Sequence, residues 1–131
     1  MWRVLVSLLL FTANVFGQAA AGDEKFDQKQ YADAANAYEK IPSAQRDAQI
    51  SNRLGVSYHL SNQLRAAENA YRAALRLQPD STTVLNNLAA LYYSQRKFSD
   101  AERQVRRALE KNPDHPILRS NLRSARYARE N

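Results

Sequence analysis

Cysteine is absent from the 131 residues. That excludes disulfides, thiolate zinc sites, iron–sulfur ligation and a cysteine nucleophile. Glycine (3) and proline (4) are also scarce, together about 5% against an average of roughly 12%. A chain so poor in turn residues cannot form a many-stranded sandwich or barrel, which needs a turn every 8–12 residues or so. Histidine occurs only as His59 and His115, so no His pair at metal spacing and no Ser/His/Asp set exists. The three glycines, Gly17, Gly22 and Gly55, form no phosphate-cradling loop. His115, between Asp114 and Pro116, reads as a solvated turn residue. No enzymatic activity, cofactor or metal is expected. What remains is 44% hydrophobic and reads as one mostly helical domain.

The amino terminus stands apart. Met1-Trp2-Arg3 precedes an apolar run from Val4 to Phe16, broken only by Ser7, Thr12 and Asn14, and small residues follow from Gly17 to Ala21. A positive start, an apolar centre and a small-residue exit are the features of a secretory signal. Residues 1–17 are therefore expected to be a signal peptide cleaved after Gly17, with Ala19 and Ala21 as other cleavage points. The run alone is shorter than the roughly 20 apolar residues that cross a bilayer. No cysteine follows it for acylation. The expected location is periplasmic or secreted, in a bacterium. The alternative is an uncleaved first helix of the fold.

A shift of 34 residues lays the sequence on itself. Leu54 falls on Leu88 and Leu88 on Leu122; Gly55 falls on Ala89, Tyr58 on Tyr92 and Leu64 on Phe98. Ala67 falls on Ala101, Glu68 on Glu102, Tyr71 on Val105, Ala74 on Ala108, Leu75 on Leu109, Pro79 on Pro113 and Asp80 on Asp114. Leu54-Gly55-x-x-Tyr58, Ala67-x-x-x-Tyr71-x-x-Ala74 and Pro79 resemble the tetratricopeptide repeat, and Leu88-Ala89-x-x-Tyr92 through Pro113 resembles a second copy. An aromatic usual three residues before the Leu is replaced by Ser51 and Leu85. A degenerate copy precedes them at a shift of 33, carried by Tyr31, Ala34 and Tyr38; its first helix is expected to be short, with Gly22 and Phe26 as remnants. The resemblance implies an all-α solenoid of paired antiparallel helices. Its units are a degenerate repeat at 22–46, full repeats at 48–81 and 82–115, and a capping helix at 116–131. Asp80 and Asp114 are the expected caps of the helices that follow them.

The same resemblance implies a non-enzymatic scaffold that holds a peptide or protein in a concave groove lined by the first helix of each repeat. The groove set would be Asn52, Arg53, Val56 and His59, then Asn86, Asn87, Ala90 and Tyr93, then Ser120, Asn121, Ser124 and Tyr127. Asn both donates and accepts, which suits the backbone of an extended ligand. Relatives that hold chaperone tails place Lys, Asn and Arg where this chain has Ala19, Asp23, Arg53, Thr83 and Asn87, so that specialisation is not expected. Charge is uneven: residues 18–95 balance eight basic against eight acidic, whereas 96–131 carry ten basic against five acidic. A basic patch of Arg106, Arg107, Lys111, Arg119, Arg123 and Arg126 suggests a second reading. In it, a structural envelope subunit docks through its helical ends or this cap on an anionic surface, a membrane surface included. Nucleic acid is not an expected partner, since aromatics do not interleave the cations at base-stacking spacing.

Overall fold

The computed structural model describes residues 1–131 and contains helices only. They run α1 (Trp2–Asp27), α2 (Tyr31–Glu39), α3 (Ala48–Leu60), α4 (Leu64–Leu77), α5 (Thr82–Ser94), α6 (Phe98–Lys111) and α7 (Pro116–Glu130), with one 3-10 turn at Ser43–Gln45. Each helix packs chiefly on its neighbours in sequence, giving three antiparallel pairs and a final single helix. Pro79 and Pro113 each lie two residues beyond the second helix of a pair, since proline cannot extend the hydrogen-bond ladder. The caps sit one residue later than expected. Asp80 and Asp114 are turn residues, and Ser81 and His115 accept from the amides of Val84 and Leu118. Asp47 caps α3 by accepting from the Ile50 amide at 2.7 Å.

The first repeat is more complete than its sequence suggests. Its first helix is the carboxyl-terminal half of α1, where Val15, Ala19 and Phe26 pack on the cluster of Ala34, Ala35, Tyr38 and Ile41. Residues 2–14 are exposed throughout. As a whole α1 has 26 residues, and an 18-residue stretch of it has a mean hydropathy of 1.8 with none of that stretch buried. By length and composition α1 is thus able to cross a membrane, although the apolar run alone is short. While Val15 and the residues beyond it stay on α2, the free part reaches only about 20 Å at 1.5 Å per residue. That is less than the ~30 Å hydrocarbon core.

Helix pairs close through a size-matched couple. Gly22 faces the Tyr38 ring and Gly55 the Tyr71 ring so closely that an added Cβ would lie 2.4 and 2.6 Å from ring carbons. Both rings are buried. In the third repeat the couple becomes Ala89 with Val105, both buried. Ala67, Ala74, Ala101 and Ala108 are buried where the paired helices meet. The three turns inside the pairs place Lys29, Asn62 and Arg96 at the same point with φ near 60°, a left-handed conformation that non-glycine residues seldom adopt.

Successive repeats are joined by carboxylates. Glu39 on α2 accepts from the Tyr58 hydroxyl of α3. Burial first, then this bond, pushes the Tyr58 phenol up to about 12. Glu68 on α4 accepts from the Tyr92 hydroxyl of α5 at 2.9 Å and from Arg72 at 2.7 Å. Glu102 on α6 accepts from Arg106 of its own helix at 2.6 Å and from Arg126 and Arg129 of α7 at 3.2 and 2.7 Å. Its side chain is only 6% exposed. The Arg106 bonds hold its carboxyl below the ordinary glutamate range, against the opposing effect of burial, with Arg126 and Arg129 adding to the depression.

Candidate binding groove

The odd-numbered helices share one wall, and their polar side chains bridge from helix to helix along it. Asp23 of α1 pairs with Arg53 of α3 at 3.0 Å, and the Tyr38 hydroxyl donates to the same carboxylate. The Arg53 guanidinium also lies 5.3 Å from the centroid of the Phe26 ring. The Asn87 amide donates to Asn52 at 3.0 Å, and Asn121 donates to Asn86 at 2.8 Å. His59 Nε2 and the Ser94 hydroxyl lie 3.4 Å apart. Burial lowers the pKa of His59, which favours its neutral form at neutral pH. The wall at its centre is therefore uncharged, its amides hold the helices together, and each amide keeps donor or acceptor capacity free.

One cavity opens on this wall, with a volume of about 320 Å³. Ala90, Tyr93 and Ser94 of α5 stand on one side, and Asn121 and Ser124 of α7 on the other. Its floor is apolar, made by Ala89, Ala101, Val105 and Ala125. The cavity follows from the size couple. Tyr38 and Tyr71 fill the equivalent space in the first two repeats, whereas Val105 is too small to do so. Tyr93 is 43% exposed at the rim and is steadied edge-on by Phe98, with ring centroids 5.3 Å apart.

Of the expected groove residues, the structure gathers Ala90, Tyr93, Asn121 and Ser124 around this cavity. Asn86 and Asn87 sit beside it as bonded partners of Asn121 and Asn52. Val56 packs against the core, and Arg53 is engaged by Asp23. Ser120 and Tyr127 are exposed on α7 but do not line the cavity. The floor residues Ala89, Ala101, Val105 and Ala125 were not expected at the site; the departure of Val105 from the Tyr at its equivalent position was the signal for them.

The basic residues do not make one patch. Arg106 and Arg126 converge on Glu102. Lys111 reaches Asp80 at 3.4 Å and Arg119 reaches Asp114 at 3.7 Å. Arg107 turns away from α7 and donates to the Pro79 carbonyl at 3.1 Å. Arg123 alone of the six has no hydrogen-bond or ion-pair partner, and with Arg119 it borders a hollow beside Leu109 and Leu122.

Two family models described as tetratricopeptide repeat match the sequence, one over residues 58–125 and one over 19–82. The chain belongs to the tetratricopeptide repeat family. Its helices also superpose on solved structures of that kind. The first tetratricopeptide domain of Spaghetti (RPAP3), bound to the HSP90 peptide SRMEEVD, matches with a TM-score of 0.80 at 20% identity over 91% of this chain and 95% of that one. The second such domain of human RPAP3, in complex with the HSP70 peptide SGPTIEEVD, matches with a TM-score of 0.76 at 16% identity over 86% and 98%. MamA protein matches with a TM-score of 0.85 at 18% identity, covering 89% of this chain and 64% of that one. At such identities the likeness establishes the tetratricopeptide solenoid and leaves the ligand to the residues themselves. No curated protein sequence matches the chain. As a tetratricopeptide protein it is a protein–protein interaction scaffold in kind.

Proposed function

We propose that this tetratricopeptide chain is an exported adaptor that holds an extended protein segment along the α3–α5–α7 wall, with one apolar side chain anchored in the cavity beneath Tyr93. The observation that carries this reading is the cavity itself. It has an apolar floor, an amide and hydroxyl rim, and a volume suited to a single large side chain. Relatives of the same fold bind peptides, as the RPAP3 domains do, which supports a peptide or protein partner here. The central wall carries no unpaired cation to hold a terminal carboxylate, so its ligand differs in chemistry from those acidic chaperone tails. Anchoring a large apolar side chain supplies about 1.5–3 kcal/mol, and a rim aromatic such as Tyr93 is a common hot-spot type.

Export rests on the apolar amino-terminal segment. Residues 2–14 are exposed, with only Ala13 and Asn14 reaching a hollow beside Ala37 and Lys40, so cleavage after Gly17 takes only Val15 from the packed cluster and leaves Ala19, Gly22 and Phe26 on α2. Mass spectrometry of the protein recovered from its native host would give the mature amino terminus. Recovery with Met1 intact would overturn that part.

The groove is tested by copying the packing of the first two repeats into the third. Ala89→Gly with Val105→Tyr recreates the Gly–Tyr couple and fills the cavity while keeping a pattern the fold already uses. A random peptide library displayed on phage is panned against the wild-type chain, and the enriched peptides are retested on the double variant. Peptides with a shared large apolar residue, losing on the order of tenfold or more in affinity, are expected. Enriched peptides that bind both proteins equally would sink the groove reading.

A further inference from the structure

A second concave surface lies on the far side of α5. Leu88 and Tyr92 project about half a turn away from Ala90 and Tyr93 on the helix. They floor a trough of about 620 Å³ between α4 and α6. Five cationic side chains border it: Arg72 and Arg76 from α4, Lys97 at the start of α6, and Arg103 and Arg107 from α6. Only two carboxylates do, Glu68 and Asp100. Glu68 is occupied by Arg72 and Tyr92, and Asp100 by Arg103 at 3.1 Å. Arg107 spends both terminal nitrogens inside the fold, one on the Gln104 side-chain oxygen at 3.4 Å and one on the Pro79 carbonyl at 3.1 Å. Arg76 and Lys97 have no carboxylate partner at all; the Lys97 ammonium rests 5.8 Å from the centroid of the Tyr92 ring. The trough is thus a positive channel whose accessible apolar surface comes from Leu75 and the aliphatic stems of the arginines, above the buried Leu88.

We infer that this trough binds an acidic peptide segment in which carboxylates alternate with apolar residues, at a site separate from the α5–α7 cavity. Carboxylates would meet Arg76, Lys97 and the outer nitrogens of Arg103, and apolar side chains would lie on Leu75 and the aliphatic stems of Arg72 and Arg76. The resident Glu68 and Asp100 set the occupant apart from a polyphosphate or nucleic-acid backbone. An evenly spaced chain of charges would run against both carboxylates, while a peptide can present apolar or donor groups there.

The test uses the full chain and a short fluorescein-labelled peptide of alternating Glu and Leu, followed by fluorescence anisotropy. The Arg76→Glu, Lys97→Glu double variant should weaken binding by about tenfold or more. Both side chains are exposed and unpaired, so its melting should match the wild type. Three variants or probes serve as controls. Arg119→Glu with Arg123→Glu makes the same change of net charge elsewhere and should leave affinity within about twofold. The cavity-filling pair Ala89→Gly, Val105→Tyr should do the same. A peptide with Gln for Glu should not bind. Equal weakening by the Arg119, Arg123 variant would mean that only net charge is sensed, which overturns the site. So would equal binding of the Gln peptide, or inorganic polyphosphate binding with the same dependence on Arg76 and Lys97.

Discussion

Glu102→Gln changes one atom type at a buried node and removes a charge that three arginines share. The glutamine keeps the size of the side chain and one carbonyl oxygen. It loses the second acceptor and the charge that strengthens every bond to Arg106, Arg126 and Arg129. Hydrogen bonds to charged groups contribute about 1.5–3 kcal/mol each when measured alone. The arginine side chains are 43–56% exposed and can return to water, so most of that is recovered. A net loss of about 2 kcal/mol is the expected size, or roughly 7 °C in melting temperature for a domain near this length. Two of the three partners belong to α7, which packs mainly on α6. Amide exchange in α7 should therefore accelerate more than exchange in α3. The pH dependence has a definite sign. The folded-state pKa of Glu102 is depressed, so its contribution is present above the ordinary glutamate pKa and is lost as pH falls through the folded value. The gap in stability between wild type and variant should be full at pH 7 and should close progressively as pH falls below the ordinary glutamate value of about 4.3. Glu110→Gln, at an exposed residue without a partner, should change neither quantity. Unchanged α7 exchange, or a gap that persists in acid, would refute the account of Glu102 as the clasp of the last helix.

Gly22→Ala and Gly55→Ala should each lower the melting temperature: the added methyl meets a buried tyrosine, and overpacking of about 1–3 kcal/mol exceeds the helix-propensity gain of about 1 kcal/mol. Gly17→Ala, with nothing within 4 Å, should lower nothing, and calorimetry separates the three. Ala108→Leu, at a buried position away from the cavity, should destabilise by a similar ~1–3 kcal/mol, while Arg103→Leu on the exposed side of α6 should stay within about 0.5 kcal/mol; equal small effects would mean that the register of α6 is misread. Asn86→Ala with Tyr93→Ala should cost selected groove peptides about 2 kcal/mol or more, roughly thirtyfold in anisotropy. Because Asn86 accepts from Asn121, the same pair should also lose about 1 kcal/mol of stability; retained peptide affinity would move the site elsewhere.

The fold was legible because its signal is periodic. Leu54, Leu88 and Leu122 recur at 34 residues, and Ala67 and Ala101 recur with them, so the helix pairs follow from pattern alone. The caps were misplaced by one residue because Asp80 and Asp114 have the chemistry of caps. The residue next to the first helical turn, Ser81 or His115, holds the geometry. The first helix was read as short because the apolar run of a signal and the apolar face of a helix have overlapping composition. Of the expected groove residues, Ala90, Tyr93, Asn121 and Ser124 border the cavity, since helical spacing puts them on one wall. The mutual bonding of Asn52 with Asn87 and of Asn86 with Asn121 does not follow from that spacing, because it depends on distances between helices. The carboxylate junctions were half visible. Glu68 falls on Glu102 in the repeat alignment, but the partners that join one repeat to the next, Tyr92 and the Arg126–Arg129 pair, come from the following helix, and only three-dimensional stacking brings them together. For the same reason Arg126 reads in the sequence as part of a basic patch, whereas its charge is spent on Glu102.

The junctions at Glu68 and Glu102 are built from the same parts. Each glutamate holds an arginine one turn along its own helix, Arg72 or Arg106, and offers its remaining lone pairs to whatever donor the next helix presents. At one junction that donor is the phenol of Tyr92. At the other it is the guanidinium of Arg126, which occupies the corresponding position. A duplicated copy of residues 82–115, set behind the original, would bring a tyrosine equivalent to Tyr92 against Glu102, a pairing the chain already makes at Glu68. The terminal helix would then find its usual glutamate in the new copy. Lengthening the array by gene duplication thus requires no compensating substitution at either seam, and the number of repeats becomes a quantity that heredity can vary in whole steps.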